Sequence, residues 1–184
     1  METASTLINQ TKKWLSSVVI AHNLCPFAKR EYDNKAIHYA VIETVDSEGQ
    51  LKQVMQQCAE LDEQGTRETS LLIFPYALSD FEDYLNLLDF ATALLKDLGY
   101  EGVYQLASFH PHYQFDGTAA DAPSNYTNRS PYPMLHILRE ASVEIALENY
   151  PNPETIPERN ILVTQALGLK VMQDLLAQSY DVEG

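Results

Sequence analysis

The segment PMLHILREASVEIALE, Pro133–Glu148, carries Met134, Ile137, Leu138, Ala141 and Ile145 at steps of three and four, a period that predicts one helix over about residues 133–148. Pro133 suits its first turn, where a missing N–H costs nothing. Read this way, the segment contributes no strand, and the sheet must come from three other stretches. AIHYAVIE, Ala36–Glu43, alternates and is rich in β-branched and aromatic residues, as a strand should be. SLLIF, Ser70–Phe74, is a short apolar run closed by Pro75, the pattern of a strand buried on both faces. VYQLASF, Val103–Phe109, is the third.

Helical patterns separate these strands. Leu7, Thr11, Trp14, Leu15 and Val18 predict a first helix that ends near His22 and Asn23, followed by a loop over Asn23–Asn34. Ser47 with Gln50, and Ser79 with Glu82, have capping-box spacing ahead of apolar stripes. The first stripe includes Cys58, which reads as core filler, and the second runs from Phe81 to Leu98 until Gly99 stops it. A last helix is expected over about 157–178, after the joint YPNPETIP. Strand, helix, strand, helix, strand is the order of right-handed crossovers. The expected fold is therefore a small three-layer α/β sandwich, one domain over residues 1–184, with a mostly parallel sheet of three or more strands flanked by about five helices.

Composition narrows the function classes. With 45% hydrophobic and 21% charged residues the chain is globular in character. A formal charge of −14 opposes a phosphate-tracking surface, so no nucleic-acid partner is expected. Two cysteines without CxxC spacing, Cys25 and Cys58, suggest free thiols in a reducing compartment, with the cytoplasm as the expected location. The apolar run Trp14–Ala21 holds Ser16 and Ser17 and is followed by Leu24 before Cys25, which does not fit a signal peptide. No run approaches the ~20 apolar residues of a membrane span.

In open parallel sheets ligands sit beyond the carboxyl ends of the strands, and ASFHPHYQFDGTAADAPSNYTNRSPYP, Ala107–Pro133, leaves the third strand there. Its aromatic residues, Phe109, Tyr113, Phe115, Tyr126 and Tyr132, argue that it packs rather than drifts in solvent. Arg129, beside the expected helix start, would form an anion clamp with Asn125 and Asn128, the alternative being an internal ion pair. His110 is the candidate base, with His112 two residues on. In NLCPFAKRE, Cys25 precedes Pro26, with Lys29 and Arg30 on the following turn, a setting that can activate a thiol. Tyr113, His136, Arg139 and Glu140 would line the ligand site, the last three as one polar flank of the 133–148 helix.

These residues point to a thiol-dependent enzyme acting on a small anionic metabolite, in a cleft formed by the Cys25 loop and the 110–133 loop. The other classes are a metal-binding module using Cys25, His110 and His112, and a non-catalytic ligand-binding or interaction domain. Neither HExxH nor a Gly-rich phosphate loop occurs, so no cofactor or metal is assigned.

NLCPFA, ASFHPHYQFDGT and NYTNRSPYPMLHILREAS together resemble the hallmark segments of the domain of unknown function 1415 family. The resemblance covers most of the chain. It implies no substrate, cofactor or catalytic residue. It does imply that the position of His112 is often acidic, which counts against His112 as base or ligand and leaves His110 standing.

Overall fold

The computed structural model describes residues 2–182. In chain order its elements are α1 (Ala4–Trp14), continued by a π-helical stretch (Leu15–Ile20), then α2 (Ala28–Asp33), β1 (Ile37–Val41), α3 (Ser47–Glu63), β2 (Thr69–Ile73) and α4 (Phe81–Asp97). After these come β3 (Tyr104–Phe109), β4 (Met134–Arg139), α5 (Glu140–Glu148), α6 (Ile156–Leu167) and α7 (Leu169–Gln178). The mixed α/β class is as expected, but the described residues form seven helices rather than about five. One extra helix, α2, lies inside the expected Asn23–Asn34 loop. The other arises because Gly168, at φ +81°, adopts a backbone conformation open to glycine and splits the expected 157–178 helix in two.

The sheet has four strands in the order β1-β2-β4-β3. β1 and β2 pair in parallel, and β4 pairs antiparallel with both β2 and β3. The three strands read from the sequence therefore do run in one direction. β4 enters between two of them pointing the other way, so the sheet is mostly antiparallel and the expectation of a mostly parallel sheet is overturned. The first half of the expected 133–148 helix is this strand; only Glu140–Glu148 is helical.

The difference has a physical cause. β4 carries apolar residues on both faces, Leu135 and Ile137 on one and Met134 and Leu138 on the other, so they do not alternate with polar ones, and such a pattern is also compatible with a helix. What decides between them is pairing: β4 supplies partners to the open edges of β2 and β3 at once. Tyr84 secures the end of this insertion. Its hydroxyl donates to the Met134 carbonyl at 2.8 Å and accepts from the Phe109 N–H at 2.9 Å.

Alternation along the strands then sorts the core into two clusters. On one face Leu72, Phe74, Leu135 and Ile137 pack against α3 and α4 through Val54, Cys58, Leu61, Tyr84 and Ala91. Cys58 is core filler, as expected, and is fully buried. On the other face Leu71, Ile73 and Met134 meet Trp14, Leu15, Val18 and Val19 of the amino-terminal helical stretch, and Met172 of α7. Helices α3 and α4 start one residue away from the expected serine caps. Asp46 and Asp80 are the caps, accepting from the Gly49 N–H and from the Glu82 and Asp83 N–H groups. A carboxylate is the stronger acceptor at the positive end of a helix dipole, so it displaces a neighbouring hydroxyl. No described helix is long and apolar enough to cross a membrane.

Candidate functional site

The α3–α4 face of the sheet is filled, whereas the other face is not. Beneath Trp14 and Leu15, and bounded by Leu71, Ala107 and Leu138 of the sheet and Val143 and Ala146 of α5, lies a chamber of about 180 Å³ with an almost wholly apolar lining. Cys25 and His136 are also in its wall. Cys25 reaches it because the chain turns after the π-helical stretch and re-enters a helix at Ala28, laying Cys25 and Ala28 against the apolar cluster of this face. His136 reaches it because even-numbered β4 residues share the face of Met134.

Burial pushes the Cys25 thiol up from its ordinary value, against the backbone N–H groups of Phe27 and Ala28, which pull it down. The resting form is therefore the protonated thiol. Lys29 and Arg30, expected to activate it, are committed elsewhere, Lys29 to Asp33 and Arg30 to Glu31, both at 2.6 Å. His136 Nε2 shares a hydrogen bond with Thr69 Oγ1 at 2.8 Å. Desolvation holds the imidazole down at about 4, so it is neutral at pH 7, and Nδ1 has no hydrogen-bond partner among the described residues.

A second, larger cleft of about 620 Å³ adjoins the chamber. It lies between the Cys25 loop, the 115–128 part of the long loop and the start of α6. Its polar wall comprises Asp116, Thr118, Ser124, Thr127, Asn128 and Asn160, with no lysine or arginine. Val19, Cys25 and Phe109 line both spaces. A cleft between the Cys25 loop and the 110–133 loop thus exists, but most of the residues expected to work in it do something else.

His110 is fully buried on the opposite, α3–α4 side, in contact with Phe81 and Tyr84. Both its nitrogens are used: Nε2 bonds the Leu78 carbonyl at 2.9 Å and Nδ1 accepts from the His112 N–H at 3.0 Å. Cys25 and His110 therefore lie on opposite sides of the sheet. His112 is exposed, so Cys25, His110 and His112 are not brought together. Among the described residues no three His, Cys, Asp or Glu side chains converge as a metal ion would require.

Asn125 organises the loop. It is fully buried, its Oδ1 accepts from the Phe115 N–H and the Thr118 hydroxyl, and its Nδ2 donates to the Ala119 carbonyl. Arg129 stands at the end of the short 3-10 turn Pro123–Thr127 rather than beside a helix start, because the segment after Pro133 is a strand. Its guanidinium lies over the Tyr126 ring and donates to the Tyr113 and Ala120 carbonyls. No ion pair holds it among the described residues. Asn128 alone of this trio lines the outer cleft; its Nδ2 donates to the Ser108 carbonyl at 2.9 Å. Tyr113 packs between Phe81 and Phe115.

His136, Arg139 and Glu140 do not form one helical flank, since the first two are on β4 and the third opens α5. Arg139 sends its guanidinium to the Leu61 carbonyl and the Tyr104 hydroxyl, and Glu140 donates its N–H to the Val103 carbonyl. The chamber residues that sequence reasoning missed, among them Trp14, Ala107 and Ala146, come from three distant elements. One signal was available. A strand reading of MLHILR would have placed His136 on the face of Met134 and Leu138.

The fold and site together define a mixed α/β protein with one half-filled sheet face and a thiol at the boundary of two cavities. The chain belongs to the family described as Protein of unknown function (DUF1415), whose pattern matches residues 6–174. No curated protein and no solved structure matches it.

Proposed function

We propose that this chain binds a small molecule across the two adjoining cavities and that Cys25, at their boundary, is the group that acts on it. The observation that carries this reading is the sharing of Val19, Cys25 and Phe109 by both walls. A ligand with an apolar portion in the chamber and a hydrogen-bonding portion in the outer cleft would cross the thiol. A wall with one carboxylate, Asp116, and no lysine or arginine disfavours the small anion expected from Arg129 and suits an uncharged polar end. A protonated thiol needs a proton acceptor before it can attack, and neutral His136 is the histidine in the same chamber. The free thiols of Cys25 and Cys58 fit a reducing compartment such as the cytoplasm.

Exposure to phenyl acetate, followed by intact-mass and peptide analysis, tests the reading. The expected result is a single acetyl adduct on Cys25, released slowly by water and absent in Cys25→Ser. Absence of any adduct, or equal acetylation of the buried Cys58, overturns thiol chemistry. The raised thiol pKa favours one second reading, non-catalytic binding in the same cavities. Saturable ligand binding without an adduct would establish that instead.

A further inference from the structure

The chamber has a size and a chemistry of its own. An apolar cavity of about 150 Å³ stays dry and takes up benzene, so a space of about 180 Å³ accommodates one six-membered ring with a substituent atom or two. Charge is unwelcome there. The ionic groups at its border are already engaged: Arg30 with Glu31, Glu68 with the Ser142 hydroxyl, and Arg139 with the Leu61 carbonyl. His136 is the exception. One nitrogen is bound to Thr69 and the other has no protein partner among the described residues; His136 is only half-buried and lines the chamber, so this nitrogen is left free to pair with a ligand.

We propose that the chamber is a binding pocket for a neutral monocyclic aromatic group bearing one hydrogen-bonding substituent, with His136 Nδ1 as its recognition group. A phenolic hydroxyl can donate or accept, so it matches either tautomer of the imidazole. Ala107, which pairs with His136 across β3 and β4, and Ala146 of α5 leave the space that a larger side chain would fill. The proposal deepens the reading above by naming the ligand class. It rests only on the binding half of that reading, and not on the reactivity of Cys25.

Calorimetric and NMR titration of the full chain with phenol, benzene and benzoate tests it. Phenol is expected to bind saturably with a dissociation constant of about 1 mM or tighter, about five-fold better than benzene, the worth of one net hydrogen bond. Benzoate should not bind. His136→Leu should bring phenol down to the benzene level, and Ala146→Phe should abolish binding of both. Should Ala146→Phe fail to fold, Ala107→Leu fills the same space from the sheet side. Saturable phenol binding to the wild-type chain supports the pocket even if no acetyl adduct ever forms. Phenol that does not saturate, or that binds equally well to a folded chamber-filling variant, overturns it.

Discussion

His110 and His136 show how differently the two faces of one sheet are built. His110, just past β3, is packed between α4 aromatics with both nitrogens satisfied by backbone groups. His136, near the centre of β4, has one satisfied nitrogen and a chamber beside it. Burial lowers the pKa of both, yet only one is placed where a ligand could use it. A depressed histidine pKa therefore does not by itself mark a site; what separates the two is that one has a free nitrogen next to unfilled space. The difference follows from what covers each face. Two long helices, α3 and α4, close one side. The other is roofed by a π-helical stretch, the short helix α2 and α5, of which neither α2 nor α5 buries a residue fully.

The largest expected contrast is in stability. Leu72→Ala, at a fully buried position on the closed face, should cost about 3–5 kcal/mol in urea denaturation. Val143→Ala, in the chamber wall, should cost less than about 1 kcal/mol, since it enlarges a space that already exists. Equal losses would mean that the chamber is closed in solution.

Acid should expose His136 next. Its imidazole is held at about 4 against an ordinary value of 6.5, so between these values the unfolded chain binds a proton that the folded chain refuses. Stability is then fully present above about pH 6.5, falls as pH drops through the window, and levels off below about pH 4; the shift is worth about 3 kcal/mol. His38 and His110 are lowered too and add slope of the same sign. His136→Leu should remove only its own share, and an unchanged profile would show that His136 is solvated.

His110→Leu should cost about 2 kcal/mol, because the Leu78 carbonyl and the His112 N–H lose their partner, while binding of a chamber ligand stays as in the wild type. Any large loss of that binding would couple the two faces. The smallest effect is the most diagnostic in sign. Ala91→Leu, fully buried against α3, should cost about 1–3 kcal/mol by overpacking, whereas Ala146→Leu should be neutral or stabilising by about 0.5 kcal/mol as it fills the chamber. Thermal melts of the pair decide it.

Local chemistry in the sequence determined a good deal. The apolar stripes of α1, α3 and α4, the fully buried strand β2, the common direction of β1, β2 and β3, and the core position of Cys58 all follow from period, capping and composition, which act within one element. Tertiary structure alone decided that 134–139 is a strand, since helix and buried strand make the same demands on a short apolar run and only the free edges of β2 and β3 break the tie. That one decision carried the rest. It removed the helix start from beside Arg129, turned the Arg139 guanidinium to the Leu61 carbonyl and the Tyr104 hydroxyl, and set His136 and Ala107 across from each other under Trp14. Such juxtapositions join residues far apart in the chain, and no local pattern encodes how completely one distant element will cover another.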